Sequence, residues 1–150
     1  MRKGNINRGY VKTTVNQQKK HYTQMSKEEL TFLKSQIQNI KDIKPSWHLE
    51  NKASIEYKME DVFKVVTDLD LENRIIEFNT TPSRGAIDKR VLLRSKEVYS
   101  VDINGKQTNC NLCFVISIKT HELITVYYNE YNDSHNTIDW KRYDENLKII

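Results

Sequence analysis

The chain reads as an α+β domain: two amphipathic helices packed on one face of a four- to five-stranded antiparallel meander. Three observations lead there. Apolar residues recur at helical spacing between residues 26 and 67, β-branched and aromatic runs take over between residues 74 and 129, and Asn104-Gly105 sits between two of those runs.

The first helix announces itself at Ser26-Lys27-Glu28-Glu29, a capping box in which the serine oxygen accepts from the Glu29 amide while Glu29 reaches back. Leu30, Leu33, Ile37 and Ile40 follow on one face, which predicts a helix from Ser26 to about Asp42 that stops before Pro45. A second helix is expected from Ser54 to Thr67, with Ile55, Met59, Val62, Phe63 and Val66 on its buried stripe. Trp47-His48-Leu49 reads as a connector, with Trp47 as a packing anchor and His48 as a partly exposed neighbour.

Strands are then expected at Arg74 to Asn79, Arg90 to Ser95, Val98 to Ile103, Thr108 to Ile118 and Leu123 to Asn129. Asn104-Gly105 is the strongest hairpin signal, because a two-residue type I′ turn needs positive φ at both positions. Thr81 to Gly85 reads as a loop, Lys119 to Glu122 as a tight turn, and Thr137 to Leu147 as a short helix capping the sheet.

The length of 150 residues suits one core. No apolar run approaches the roughly 20 residues that span a bilayer, and the N-terminus lacks the apolar stretch of a signal peptide, so no membrane association and an intracellular, cytoplasmic location are expected. Cys110 and Cys113 have the spacing of a metal or redox pair, but no second Cys pair or His pair completes a zinc site, and the strand-like surroundings suit buried thiols. His21, His48 and His121 are too scattered for a metal set, and no cofactor is expected.

Charge divides the chain unevenly. Residues 1–27 hold seven basic side chains and no acid, whereas the remainder carries 17 basic against 20 acidic groups. We therefore expect a flexible basic arm over residues 1–25 and a single α+β domain over 26–150, the arm weak in helix propensity and poor in apolar surface. Arg2, Lys3, Arg8, Lys12, Lys19 and Lys20 are its candidate phosphate contacts, and Tyr10, His21 and Tyr22 are placed among them to stack on unpaired bases. A solubilising tail would have the same composition without the binding role.

Two further groups bear on chemistry. Arg84, Lys89, Arg90 and Arg94 follow Pro82, with Lys96 beyond them; in a strand Arg90 and Arg94 share a face, so both can grip phosphates or sit as a solvated ion-paired face. His135 lies among Asp133, Thr137 and Asp139. With Arg90, Arg94 and Tyr143 it would supply a base, cations and an acid for metal-independent RNA cleavage. The same residue types build Asx turns and helix caps.

The runs Ile75 to Phe78, Arg90 to Arg94, Leu112 to Ile116, Ile124 to Tyr127 and Asp133-Ser134-His135 resemble phage and mobile-element members of the barnase, EndoU, colicin and RelE-like nuclease superfamily, over roughly residues 54 to 147. That resemblance implies two helices followed by a meandering sheet, with Arg90, Arg94, His135 and Tyr143 as active-site positions. Over the first 50 residues or so, Arg2-Lys3-Gly4, Arg8-Gly9-Tyr10, Lys19 to Tyr22, Glu28-Glu29-Leu30 and Trp47-His48-Leu49 resemble phage-encoded type II-A anti-CRISPR proteins. This second resemblance implies inhibition of an RNA-guided effector nuclease, the arm engaging its guide RNA or charged channel.

Two functions are thus expected, in this order. The first is a non-catalytic phage or mobile-element inhibitor that binds a CRISPR effector nuclease, its guide RNA, or both. The second is a metal-independent ribonuclease using His135 with Arg90, Arg94 and Tyr143. A general RNA-binding accessory protein is the third and plainest reading.

Overall fold

The meander expected from the alternating runs forms the centre of the molecule. The computed structural model describes residues 2–3, 18–52, 55–69, 74–133, 141 and 143–150. In chain order the elements are β1 (Arg2–Lys3), β2 (Gln18–His21), a 3-10 turn (Tyr22–Gln24), α1 (Lys27–Gln38), β3 (Lys44–Pro45), α2 (Trp47–Lys52), α3 (Met59–Thr67), β4 (Ile75–Ser83), β5 (Ala86–Ile103), β6 (Lys106–Ser117) and β7 (Glu122–Glu130). The strands form one sheet in the order β2-β4-β5-β6-β7-β3, with β1 lying parallel beside β5. The class is α+β as expected, and the count exceeds the expected four or five strands because three short strands extend the meander.

Local chemistry explains the ends of α1. The Glu29 amide donates to Ser26 Oγ (3.1 Å) and the Ser26 amide donates to Glu29 Oε1 (3.0 Å), closing the capping box. The helix ends at Gln38, short of Asp42, and Ile40 and Ile43 are buried from the extended stretch that follows. The expected connector at Trp47 is itself helical: Ser46 Oγ accepts from the Leu49 amide and caps α2. Leu49, not Trp47, is the anchor there, since Trp47 is 64 % exposed. The expected second helix begins at Met59 rather than Ser54, and buries Val62, Val65 and Val66 while Phe63 stays partly exposed.

Helices α1 and α3 cover one sheet face. Leu33, Ile37, Val62 and Val66 pack there with Phe78, Val91, Leu93, Leu112, Phe114 and Ile116 in the main core. Period-2 alternation sends Ile76, Leu92, Cys113 and Tyr127 to the opposite face as a smaller apolar cluster. Cys110 and Cys113, three residues apart in β6, belong to opposite clusters and are both buried free thiols. Burial, with Glu130 nearby, pushes the Cys110 thiol above its ordinary pKa.

Three further expectations change. The loop at Thr81 to Gly85 is a hairpin tip, because β4 pairs with β5 as far as Ser83 with Ala86, leaving Arg84 and Gly85 at positive φ. Residues 18–21 belong with the sheet rather than with a free arm: Gln18 pairs with Thr80 and His21 with Glu77, and His21 is fully buried. Among the described residues of the expected C-terminal helix, Tyr143 instead bridges to Lys19, and the Asp144 amide donates to the Lys19 carbonyl. Leu147 and Ile149 enter the main core, so the C-terminal segment closes over the outer edge of β2.

Candidate functional site

Register alone determines which polar side chains meet on the sheet face opposite α1 and α3. Glu77 pairs with Leu92 and with His21, Asn79 pairs with Arg90 and Lys19, and Arg90 with Ser117, all on the face that carries Ile76, Leu92, Cys113 and Tyr127. A buried apolar floor is thereby rimmed by polar groups on both sides. No helix among the described residues is long and apolar enough to cross a membrane, and none of their His, Cys, Asp and Glu residues group as a metal site.

At one rim, the Glu77 carboxylate is the focus. Tyr143 donates its phenolic proton to Glu77 Oε2, and Lys19 Nζ lies 3.6 Å from Glu77 Oε1. The His21 ring stands edge-on to Tyr143, with centroids 5.7 Å apart. Its Nδ1 lies 2.7 Å from Thr23 Oγ1 and 3.3 Å from the Thr23 amide nitrogen, which ties the ring to the 3-10 turn. The cluster is closed: Glu77 is 7 % exposed and His21 is fully buried. Beside it, Asp88 binds Arg90 Nε (2.7 Å) and Ser117 Oγ (2.6 Å), fixing the guanidinium at the margin of the floor.

At the other rim, Arg94 is buried and its donors go to internal acceptors. Nε and one terminal nitrogen bind Asn111 Oδ1 at 3.1 and 2.7 Å, and the terminal nitrogens also reach the carbonyls of Glu130, Tyr131 and Asp133. Arg94 therefore holds the end of β7 against β5 and β6, a structural job in place of the phosphate-gripping or catalytic one expected for it. The neighbouring Arg74 donates to the Ser95 carbonyl, and burial together with the Arg94 charge draws its guanidinium below the ordinary pKa.

The other expected site residues scatter. Lys20 is buried on the helix side of β2, between Glu29 (2.8 Å) and the Leu147 carbonyl (3.1 Å), so it is no free phosphate ligand. Tyr22 is half-buried against the His21 ring, Arg84 pairs loosely with Glu122 at 3.7 Å, and Lys89 is exposed. Arg8, Tyr10, Lys12 and His135, and the side chains of Arg2 and Lys3, lie outside the described residues.

Sequence reasoning missed Glu77, and missed that Lys19 and His21 join it. The signal was present at Glu77, a carboxylate set between Ile76 and Phe78 in an otherwise apolar strand. Such a group is buried only with partners. In comparisons with known proteins, no family model, no curated protein and no solved structure matches the chain. Function has to be inferred from this chain's own residues.

Proposed function

We propose that this chain acts on RNA, as a metal-independent endoribonuclease whose site is the sheet face opposite α1 and α3. One observation carries the reading: Glu77 is gathered there with the Tyr143 hydroxyl, the Lys19 ammonium and the His21 ring, next to Arg90. Those are the parts for attack of a ribose 2′-hydroxyl on its own phosphodiester. Glu77 takes the 2′-proton, and Lys19 and Arg90 stabilise the doubly charged phosphorane. Tyr143 protonates the departing 5′-oxygen and regains its proton from Glu77 along their hydrogen bond, which restores the starting state. The products are a 2′,3′-cyclic phosphate and a 5′-hydroxyl. Because Glu77 is 7 % exposed, the reading requires the face to open when RNA binds.

A second reading is favoured by that closure and by the seven basic residues and no acid of residues 1–27. In it the chain is a non-catalytic inhibitor from a phage or mobile element, binding a type II CRISPR effector nuclease and its guide RNA. Basic segments follow guide phosphates while the acidic remainder of the chain faces the effector's cationic channel.

One pair of assays separates the two. The first reading expects RNA cleaved in EDTA to cyclic-phosphate ends; intact RNA after prolonged incubation rejects it. The second expects recovery of an intact guide RNA when the protein is pulled from cells expressing a type II effector, and fails if no effector is recovered.

A further inference from the structure

The end of the sheet that carries the β4–β5 tip is cationic in a way the proposed site does not use. Three segments meet there, tied by backbone bonds: the Lys44 amide donates to the His121 carbonyl (3.2 Å), and the Ile118 amide to the Lys89 carbonyl (2.9 Å). Every acid among these segments is already engaged. Asp42 binds His121 Nδ1 at 2.8 Å, Asp88 binds Arg90, and Glu122 faces Arg84. The exposed ammonium groups of Lys41, Lys89 and Lys119 have no carboxylate partner among the described residues, and Lys44 has only the nearby charge of Asp42, which is itself bound to His121; Lys119 is held by the Ile87 carbonyl at 2.9 Å. Ile87 itself is 51 % exposed among them.

We propose that this end of the sheet docks the sugar-phosphate backbone of single-stranded RNA, the four lysines pairing with phosphates as the strand leaves the proposed site. The inference rests on the reading that the chain acts on RNA. Two features favour that occupant. Lysines on three separate segments suit a flexible polyanion, and an apolar side chain among them can pack against a base. The surface adjoins the proposed site through Arg90, which shares a face with Leu92, while its neighbour Lys89 alternates to the face of α1 and α3, so a strand would wrap this end of the sheet.

The test uses the full chain and a fluorescein-labelled 2′-O-methyl RNA 20-mer, which has no free 2′-hydroxyl and stays intact. Anisotropy across a salt series is expected to give a steep dependence of log K on log salt. Lys89→Glu with Lys119→Glu should flatten that slope by about 1.4, two contacts at about 0.7 each for a single strand. Lys106→Glu, a charge reversal at the exposed β5–β6 tip on the opposite end, is the control and should bind as the wild type does. An unchanged slope in the double variant overturns the proposal. So does a polyglutamate of equal charge competing as well as RNA, which would point to an acidic protein partner. Docking at this end while cleavable RNA stays intact defeats the ribonuclease reading alone. Cleavage with unaltered binding by the double variant defeats only the docking surface.

Discussion

Lys20 and Glu29 form a buried bridge between the second strand and the first helix, Nζ to Oε2 at 2.8 Å, with the Lys20 side chain 6 % exposed. The same ammonium donates to the Leu147 carbonyl, so one side chain joins β2, α1 and the C-terminal segment. Lys20→Met keeps the stem and removes the charge, leaving a carboxylate and a carbonyl without their donor. It should cost about 1–3 kcal/mol of stability, measured by urea unfolding at neutral pH.

The pair also sets an acid response. Burial works to raise the Glu29 pKa, but hydrogen bonds from Lys20 and the Ser26 amide outweigh it and hold the carboxyl below its ordinary value of 4.5. A lowered folded-state pKa stabilises above the unfolded value and is lost as pH falls through the folded one. The stability difference between wild type and Glu29→Gln should therefore be constant near neutrality and shrink below about pH 4.5. A difference that is flat to pH 2 would exclude this linkage.

Arg94 yields a different prediction from a solvent-facing cation. Its guanidinium serves Asn111 and three backbone carbonyls from within the protein, and Arg94→Ala strands those acceptors. A loss of about 3 kcal/mol is expected, with Arg94→Lys recovering only part of it because an ammonium lacks the planar fork. Thermal melts of the two variants check it. A melting point for Arg94→Ala within 2 °C of wild type, the effect of about 0.5–1 kcal/mol, would contradict the structural role.

What could be read from the sequence was what depends on neighbouring residues. The Ser26–Glu29 box and the Asn104-Gly105 turn were legible because their chemistry closes within four residues. Arg84-Gly85 uses the same left-handed geometry, but arginine carries no such preference, so the tip read as an open loop. The Glu77 cluster was not legible as a cluster. Lys19 and His21 lie near one chain end and Tyr143 near the other, and only the pairing of β2 with β4 brings them to Glu77. Lys20 illustrates the reverse error: its charge looked available until the strand register turned it toward Glu29.

The turn at Gly105 isolates backbone strain from packing. Its φ is +83°, and a Cβ built there would meet nothing within 4 Å. Gly105→Ala should thus cost about 1–2 kcal/mol through conformation alone. Gly105→Asn, better suited to positive φ, should recover much of it. Equal melting points for the alanine variant and the wild type would show that the hairpin relaxes to another turn.

Glu77→Gln is the most direct test of chemistry on the face opposite α1 and α3. The amide oxygen can still accept from Tyr143, and the shape is conserved, so the fold is kept while the proton acceptor for a 2′-hydroxyl is lost. Cleavage should fall by about 100-fold or more. Tyr143→Phe removes the acid and should act on the same step, so the double variant should be little slower than the slower single one. Lys19→Gln leaves base and acid in place and should cost less, since Arg90 still faces the phosphate. Cleavage by all three variants at the wild-type rate, with unchanged melting points, would mean that the Glu77 cluster is only a strut joining the two chain ends to the sheet.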